Sequence, residues 1–144
     1  MKYTKKGSTV KVLWYVTNHG LGHAARTIAI TRELLKEQSK LKITFVSSGI
    51  AKNFLKRSLS EFKDRISFYD SSCDIGLKLK SFDVPDVEKM KEMLEKYLKD
   101  SANAIEVESR IFDNHNLVIS DALSHAHSVA KKLGIPSVLL SNFT

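Results

Sequence analysis

TVKVLWYVTNHGLGHAAR, Thr9 to Arg26, is the stretch whose reading decides the fold. Its first part, Thr9 to Val16, is rich in β-branched and aromatic residues and ends at a glycine-bearing loop, the pattern of a buried strand. Beyond the loop, Ala24, Ile28, Thr31 and Leu35 recur at spacings of four, three and four, with Arg26, Arg32, Glu33, Lys36 and Glu37 off that face. This predicts an amphipathic helix. A strand, a Gly-x-Gly turn and a helix in direct succession make the first half of a βαβ unit.

The same alternation continues along the chain. LKITFVSSG (41–49) reads as a second strand, IAKNFLKRSL (50–59) as a second helix and RISFYD (65–70) as a third short strand. From Asp70 to Pro85 the pattern lapses into a loop too long for a tight connection. Val87, Met90, Leu94 and Tyr97 then open a long helix that runs to about Phe112, with a break expected near Asn103. NLVIS (116–120) is a fourth strand and SVLLS (137–141) a fifth. Between them Ala122, Leu123, Ala126, Val129, Ala130 and Leu133 form an apolar stripe closed by Gly134 and Pro136. The expectation is an α/β, Rossmann-like parallel sheet of order 3-2-1-4-5, helices on both faces, in one domain over residues 1–144. Ligands in such sheets gather at the carboxyl ends of the strands. TNHGLGH after strand one and SDALSH after strand four both lie at that edge.

Composition limits the function classes. The 144 residues are enough for one hydrophobic core, and no apolar stretch approaches the ~20 residues of a membrane-spanning helix. The first eight residues lack a signal-peptide apolar region, so the chain reads as soluble and cytoplasmic. The single cysteine, Cys73, has no internal disulfide partner and no CxxC or CxH neighbour. The net charge of +7 is uneven: residues 1–70 carry 14 Lys and Arg against 5 Asp and Glu. AKNFLKR (51–57), which mixes Phe54 and Leu55 with Lys52, Lys56 and Arg57, is a candidate for peripheral contact with an anionic membrane, or an ordinary solvated helix face. Nucleic acid is not expected as a partner.

At the glycine loop several readings compete. Gly20-Leu21-Gly22-His23-Ala24-Ala25 fits the G-x-G-x-x-[GA] dinucleotide fingerprint. A nicotinamide enzyme normally places an acidic residue about 20 positions on, at the end of the second strand. Here that strand ends in FVSSG, and no acidic residue occurs between Glu37 and Glu61. An NADP-binding oxidoreductase fragment using Ser47 or Ser48 stays open, as does a non-catalytic binding module. His125 and His127 suggest a metal pair, but residues two apart on a helix face different ways, so no metal is expected. Asp121 sits where a helix N-cap belongs. His23 has the alternative of a polar residue in a first helical turn, and Arg26 that of a solvated arginine.

GLGHAAR, together with VISDALSHAHSVAKKLGIPSVLLSNFT (118–144), resembles the amino-terminal domain of GT-B glycosyltransferases. Within them it is similar to a G-x-G-H-x-x-R group related to the lipid II N-acetylglucosaminyltransferases, and to the amino-terminal region of plant arabinokinases. The resemblance implies transfer of a sugar from a nucleotide-sugar donor to an acceptor hydroxyl. It implies His23 as general base and Asp121 as the carboxylate that orients it, a histidine being suited to that proton transfer. Asn18, His19, Gly20, Gly22 and Arg26 become a loop near substrate phosphates, where a helix N-terminus favours negative charge. Ser124, His125 and Asn142 become acceptor contacts. No cofactor is implied beyond the donor substrate. Partners implied are a donor-binding domain or subunit and a sugar or lipid-linked acceptor, with the inner membrane face as a peripheral site. Such enzymes bind the donor on a second Rossmann-like domain, so the isolated chain is expected to be incomplete and inactive.

Overall fold

A computed structural model describes residues 8–71 and 74–141. Strand β1 (Val10–Val16) leads into helix α1 (Leu21–Glu37), and β2 (Leu41–Val46) into α2 (Gly49–Ser58). After a short 3-10 turn come β3 (Ile66–Tyr69), the long helix α3 (Val87–Ile111), β4 (Leu117–Asp121), α4 (Ser124–Leu133) and β5 (Ser137–Leu140). The five strands are parallel in the order β3-β2-β1-β4-β5. This is the sheet expected from the alternation of sequence signals.

The alternation of side chains in β1 builds two cores. Val12, Trp14 and Val16 face Ala24, Ile28 and Leu35 of α1 and Ala51 and Leu55 of α2. Leu13 and Tyr15 face Phe112 beyond α3 and Ala126, Val129 and Ala130 of α4. A central strand of a parallel sheet is covered on both faces, so its sequence reads as continuously apolar. Each large side chain so buried stabilises the fold by about 1.5–3 kcal/mol. The pairing places Val16 beside Asp121, so the loops after β1 and β4 emerge side by side. That adjacency positions the site.

Three expectations are corrected. Helix α3 runs unbroken through Asn103. Its leading apolar stripe is not buried: Val87, Leu94 and Leu98 are exposed, because this half of the helix stands off the sheet and flanks a cavity lined by Met93, Tyr97 and Ala104. Helix α4 begins at Ser124 with Leu123 before it, so Asp121 is the last residue of β4 and caps nothing. Gly134 does close α4 in the left-handed conformation, with φ of 66°. The apolar part of AKNFLKR also turns inward: Leu55 is fully buried and Phe54 packs on the core. Among the described residues no helix is long and apolar enough to cross a membrane.

Candidate functional site

The joint between β1 and α1 is made by two features. Gly20 has φ of 75° and ψ of 163°, a conformation open to glycine and costly for other residues. Asp74, from the long loop before α3, clasps the residues ahead of it. Its Oδ2 accepts hydrogen bonds from the Thr17 hydroxyl and the Asn18 backbone N–H, each at 2.6 Å, and its Oδ1 lies 2.9 Å from His19 Nε2. The His19 ring packs so closely over Gly76 that a Cβ there would lie 1.3 Å from Nε2. Asn18 Oδ1 accepts the Ala51 N–H at 3.3 Å. Gly22 differs from Gly20. It is helical, and a Cβ built on it meets no described atom within 4 Å. The fold does not require a glycine there.

His23, in the first turn of α1, reaches across to the end of β4. Its Nδ1 lies 3.0 Å from Asp121 Oδ1. Asp121 is completely buried, whereas the His23 side chain keeps 31% of its exposure. Arg26, one turn further on α1, donates from its guanidinium to the same carboxylate oxygen. It is therefore not the solvated arginine that one reading expected: it is the counter-charge that makes a buried carboxylate tolerable. With Nδ1–H donated to Asp121, the His23 tautomer leaves Nε2 as the basic nitrogen.

The corner that carries Asp121 is strained. Ala122 has φ of 62°, the one positive value at a non-glycine position among the described residues. The Ser120 hydroxyl closes the corner by accepting the Leu123 N–H at 3.0 Å and donating to the Leu123 carbonyl at 2.6 Å. Such strain costs on the order of 1–3 kcal/mol and persists only where the surroundings enforce it.

His23 opens on a cavity of about 360 Å³ lined also by Thr17, His19, Asp74, Tyr97 and Ser124. A second cavity of about 460 Å³ lies between α3 and residues 69–71, 74 and 75. Asp74, Ile75 and Tyr97 line both, so the two form one cleft.

A second histidine–carboxylate pair forms the wall behind this cleft. Glu108 Oε2 accepts from Tyr15 Oη at 2.6 Å and lies 3.0 Å from His125 Nε2, while Oε1 accepts from the Ser71 hydroxyl at 2.8 Å. Burial pushes the Glu108 carboxyl up, but hydrogen bonds from His125, Tyr15 and Ser71 outweigh it and hold the group below the usual carboxylate range. His125 Nδ1 lies 3.3 Å from Tyr97 Oη. His125, expected as an acceptor contact, thus borders the cleft with both ring nitrogens engaged inside the protein. His127 points elsewhere, to Ser137 Oγ at 2.9 Å. Among the described residues no three His, Cys, Asp or Glu side chains gather to hold a metal. Ser124 is exposed at the cleft, whereas Asn142 and Cys73 lie outside the described residues. Ser47, which the NADP alternative would use, is buried.

Sequence reasoning missed Asp74, Tyr97 and Glu108. Glu108 carried a signal, since it interrupts the apolar positions Ala104, Ile105 and Phe112 at helical spacing. Tyr97 was legible only as part of an apolar stripe, and Asp74 stood in an aperiodic loop.

The architecture has known parallels. Over 92% of its length the chain superposes, with a TM-score of 0.60 and 20% identity, on a UGT transferase from Siraitia grosvenorii in complex with UDP. It superposes equally well, at 0.60 over 91% with 18% identity, on Medicago truncatula UGT71G1 complexed with UDP-glucose. The fold is glycosyltransferase-like. A glycotransferase of kitacinnamycin gives 0.57 over 90% at 14% identity. The chain spans 28%, 29% and 30% of these three structures. No protein-family profile and no curated protein matches the sequence.

Proposed function

We propose that this chain is the acceptor-side half of a glycosyltransferase that moves a sugar from a nucleotide-sugar donor to an acceptor hydroxyl. The observation that carries the reading is the His23–Asp121 pair at the mouth of a cleft, on the sheet edge where βα folds bind ligands. An alcohol is a weak nucleophile at neutral pH, so it must lose its proton as it attacks. His23 Nε2 takes that proton while the acceptor oxygen bonds to the anomeric carbon and the nucleoside diphosphate departs with the bonding pair. Asp121 holds the ring and stabilises the imidazolium that forms, and Arg26 holds the Asp121 carboxylate in place from its other side. The unfilled space at Gly22, in the first turn of α1, admits the donor diphosphate close to the helix N-terminus.

UDP and UDP-glucose in the similar structures make a UDP-sugar the first donor to try. A donor-binding domain, encoded downstream or by a neighbouring gene, completes the enzyme. The test is UDP release from UDP-sugars by the chain alone and by the chain combined with that second domain, across sugar and lipid-linked acceptors. Turnover by the pair and none by the chain alone is expected. Robust turnover by the chain alone would contradict the half-enzyme reading, and a downstream region without any such domain would remove its missing part.

A further inference from the structure

The end of the sheet opposite the cleft holds a polar recess that sugar transfer does not use. Lys11 of β1 and Lys42 of β2 are register partners, so their side chains leave the same face of adjacent strands. Further along that face Leu13, Tyr15 and Val46 are buried in the core, as a doubly covered parallel sheet requires. Two ammonium groups on neighbouring strands instead repel each other. With Arg65, which precedes β3, they line a cavity of about 320 Å³ in which Asp64 is the one carboxylate. Among the described residues none of these three cations is in an ion pair. Residues 1–7, 72–73 and 142–144 contain no Asp or Glu that could supply one.

We infer that this recess is a binding site for a soluble phosphate monoester, held by Lys11, Lys42 and Arg65. The guanidinium is fixed in advance: Arg65 Nη1 donates to the carbonyls of Gln38 at 3.1 Å and Ser39 at 3.4 Å, and the group lies over the Phe62 ring. Between the cations runs a chain of neutral groups. Ser67 Oγ donates to Thr44 Oγ1 at 3.0 Å, Thr44 Oγ1 lies 3.0 Å from His115 Nε2, and His115 Nδ1 lies 3.2 Å from the Phe112 carbonyl. Burial is the first cause of the lowered His115 value, and the Lys11 charge adds to it against the Phe112 carbonyl and Asp113. The uncompensated lysine is thus felt inside the recess. Three cations against Asp64 leave an excess of two positive charges. A phosphate monoester near neutral pH carries about 1.5–2 negative charges and three acceptor oxygens, whereas a carboxylate brings one charge. The apolar lining residues Ile43 and Ile66 belong to the core, so the recess offers no apolar anchor for a bilayer. The site goes beyond the proposed sugar transfer and does not depend on it.

Glycerol 3-phosphate, titrated at constant ionic strength into the ¹⁵N-labelled whole chain, tests the site. Saturable shifts are expected at the amides of Lys42, Thr44, Arg65, Ser67 and His115, with acetate binding about tenfold or more weaker and glycerol not at all. Lys11→Gln and Lys42→Gln should each weaken binding about tenfold, whereas Lys91→Gln, at an exposed lysine of α3, should leave it unchanged. Without the ligand Lys42→Gln should unfold at a higher urea concentration than the wild type, since it removes the repulsion, and glycerol 3-phosphate should reverse that order. No saturable shift, or an equal loss of affinity in Lys91→Gln, overturns the inference. Sedimentation with vesicles of phosphatidylcholine and phosphatidic acid, without any response to glycerol 3-phosphate, also overturns it by making the ligand a lipid headgroup.

Discussion

Two histidine–carboxylate pairs lie within one sheet edge of each other and are built from the same chemical parts. His23 with Asp121 keeps one ring nitrogen open to the cleft, and Arg26 balances the buried carboxylate. His125 with Glu108 is sealed, with both ring nitrogens and both carboxylate oxygens satisfied by Tyr97, Tyr15 and Ser71. Access, not composition, separates a group that can exchange a proton with a ligand from one that fixes neighbouring side chains.

Substitutions should break this contrast in a graded way. The largest effect is expected at the open pair. His23→Ala should lower sugar transfer by the proposed two-domain transferase by roughly 10²–10⁴-fold, read as UDP release. Removing the counter-charge should act on stability instead: Arg26→Ala leaves the Asp121 carboxylate buried without its cation and should cost about 3 kcal/mol in urea unfolding.

Acid sharpens the comparison further. Glu108 titrates lower in the folded protein than in the unfolded chain, so its stabilisation is present above the ordinary carboxylate value and is lost as pH falls through the folded one. Glu108→Gln should flatten the stability profile in that acid window and leave its slope near neutrality unchanged. There a different group acts. Burial lowers His115, so the unfolded chain takes up a proton first, and stability declines as pH falls below 6.5 toward the folded value. His115→Asn should remove that decline. At the strained corner the change should be smallest: Ala122→Gly relieves a positive φ and should stabilise by about 0.5–1 kcal/mol, measured as a rise in the urea midpoint. A loss of transfer activity in the same variant would show that the strain helps to aim Asp121.

The fold was legible because each element of the sheet carries its own local signal. Val12–Val16 is apolar throughout because β1 is central, and the spacing of Ala24, Ile28, Thr31 and Leu35 gives α1 its buried face. The meeting of His23 and Asp121 across 98 residues follows from strand order once β1 and β4 are neighbours, and came first from resemblance. The pairing of Arg26 with Asp121 was not legible, because sequence distance hides the carboxylate opposite it. Asp74 was invisible for a related reason: its partners Thr17, Asn18 and His19 are 55 to 57 positions away, and no periodic pattern marks a loop that clasps another. The leading stripe of α3 misled because it borders a cleft instead of a core.

The most direct test sets the two histidines side by side in the proposed two-domain transferase, with transfer and unfolding measured on His23→Ala and His125→Ala. Loss of transfer with stability kept within about 0.5 kcal/mol is expected for His23→Ala, and destabilisation of about 2–3 kcal/mol for His125→Ala, whose loss leaves a buried carboxylate short of a donor. Transfer that survives His23→Ala at the wild-type rate would contradict the assignment of the base.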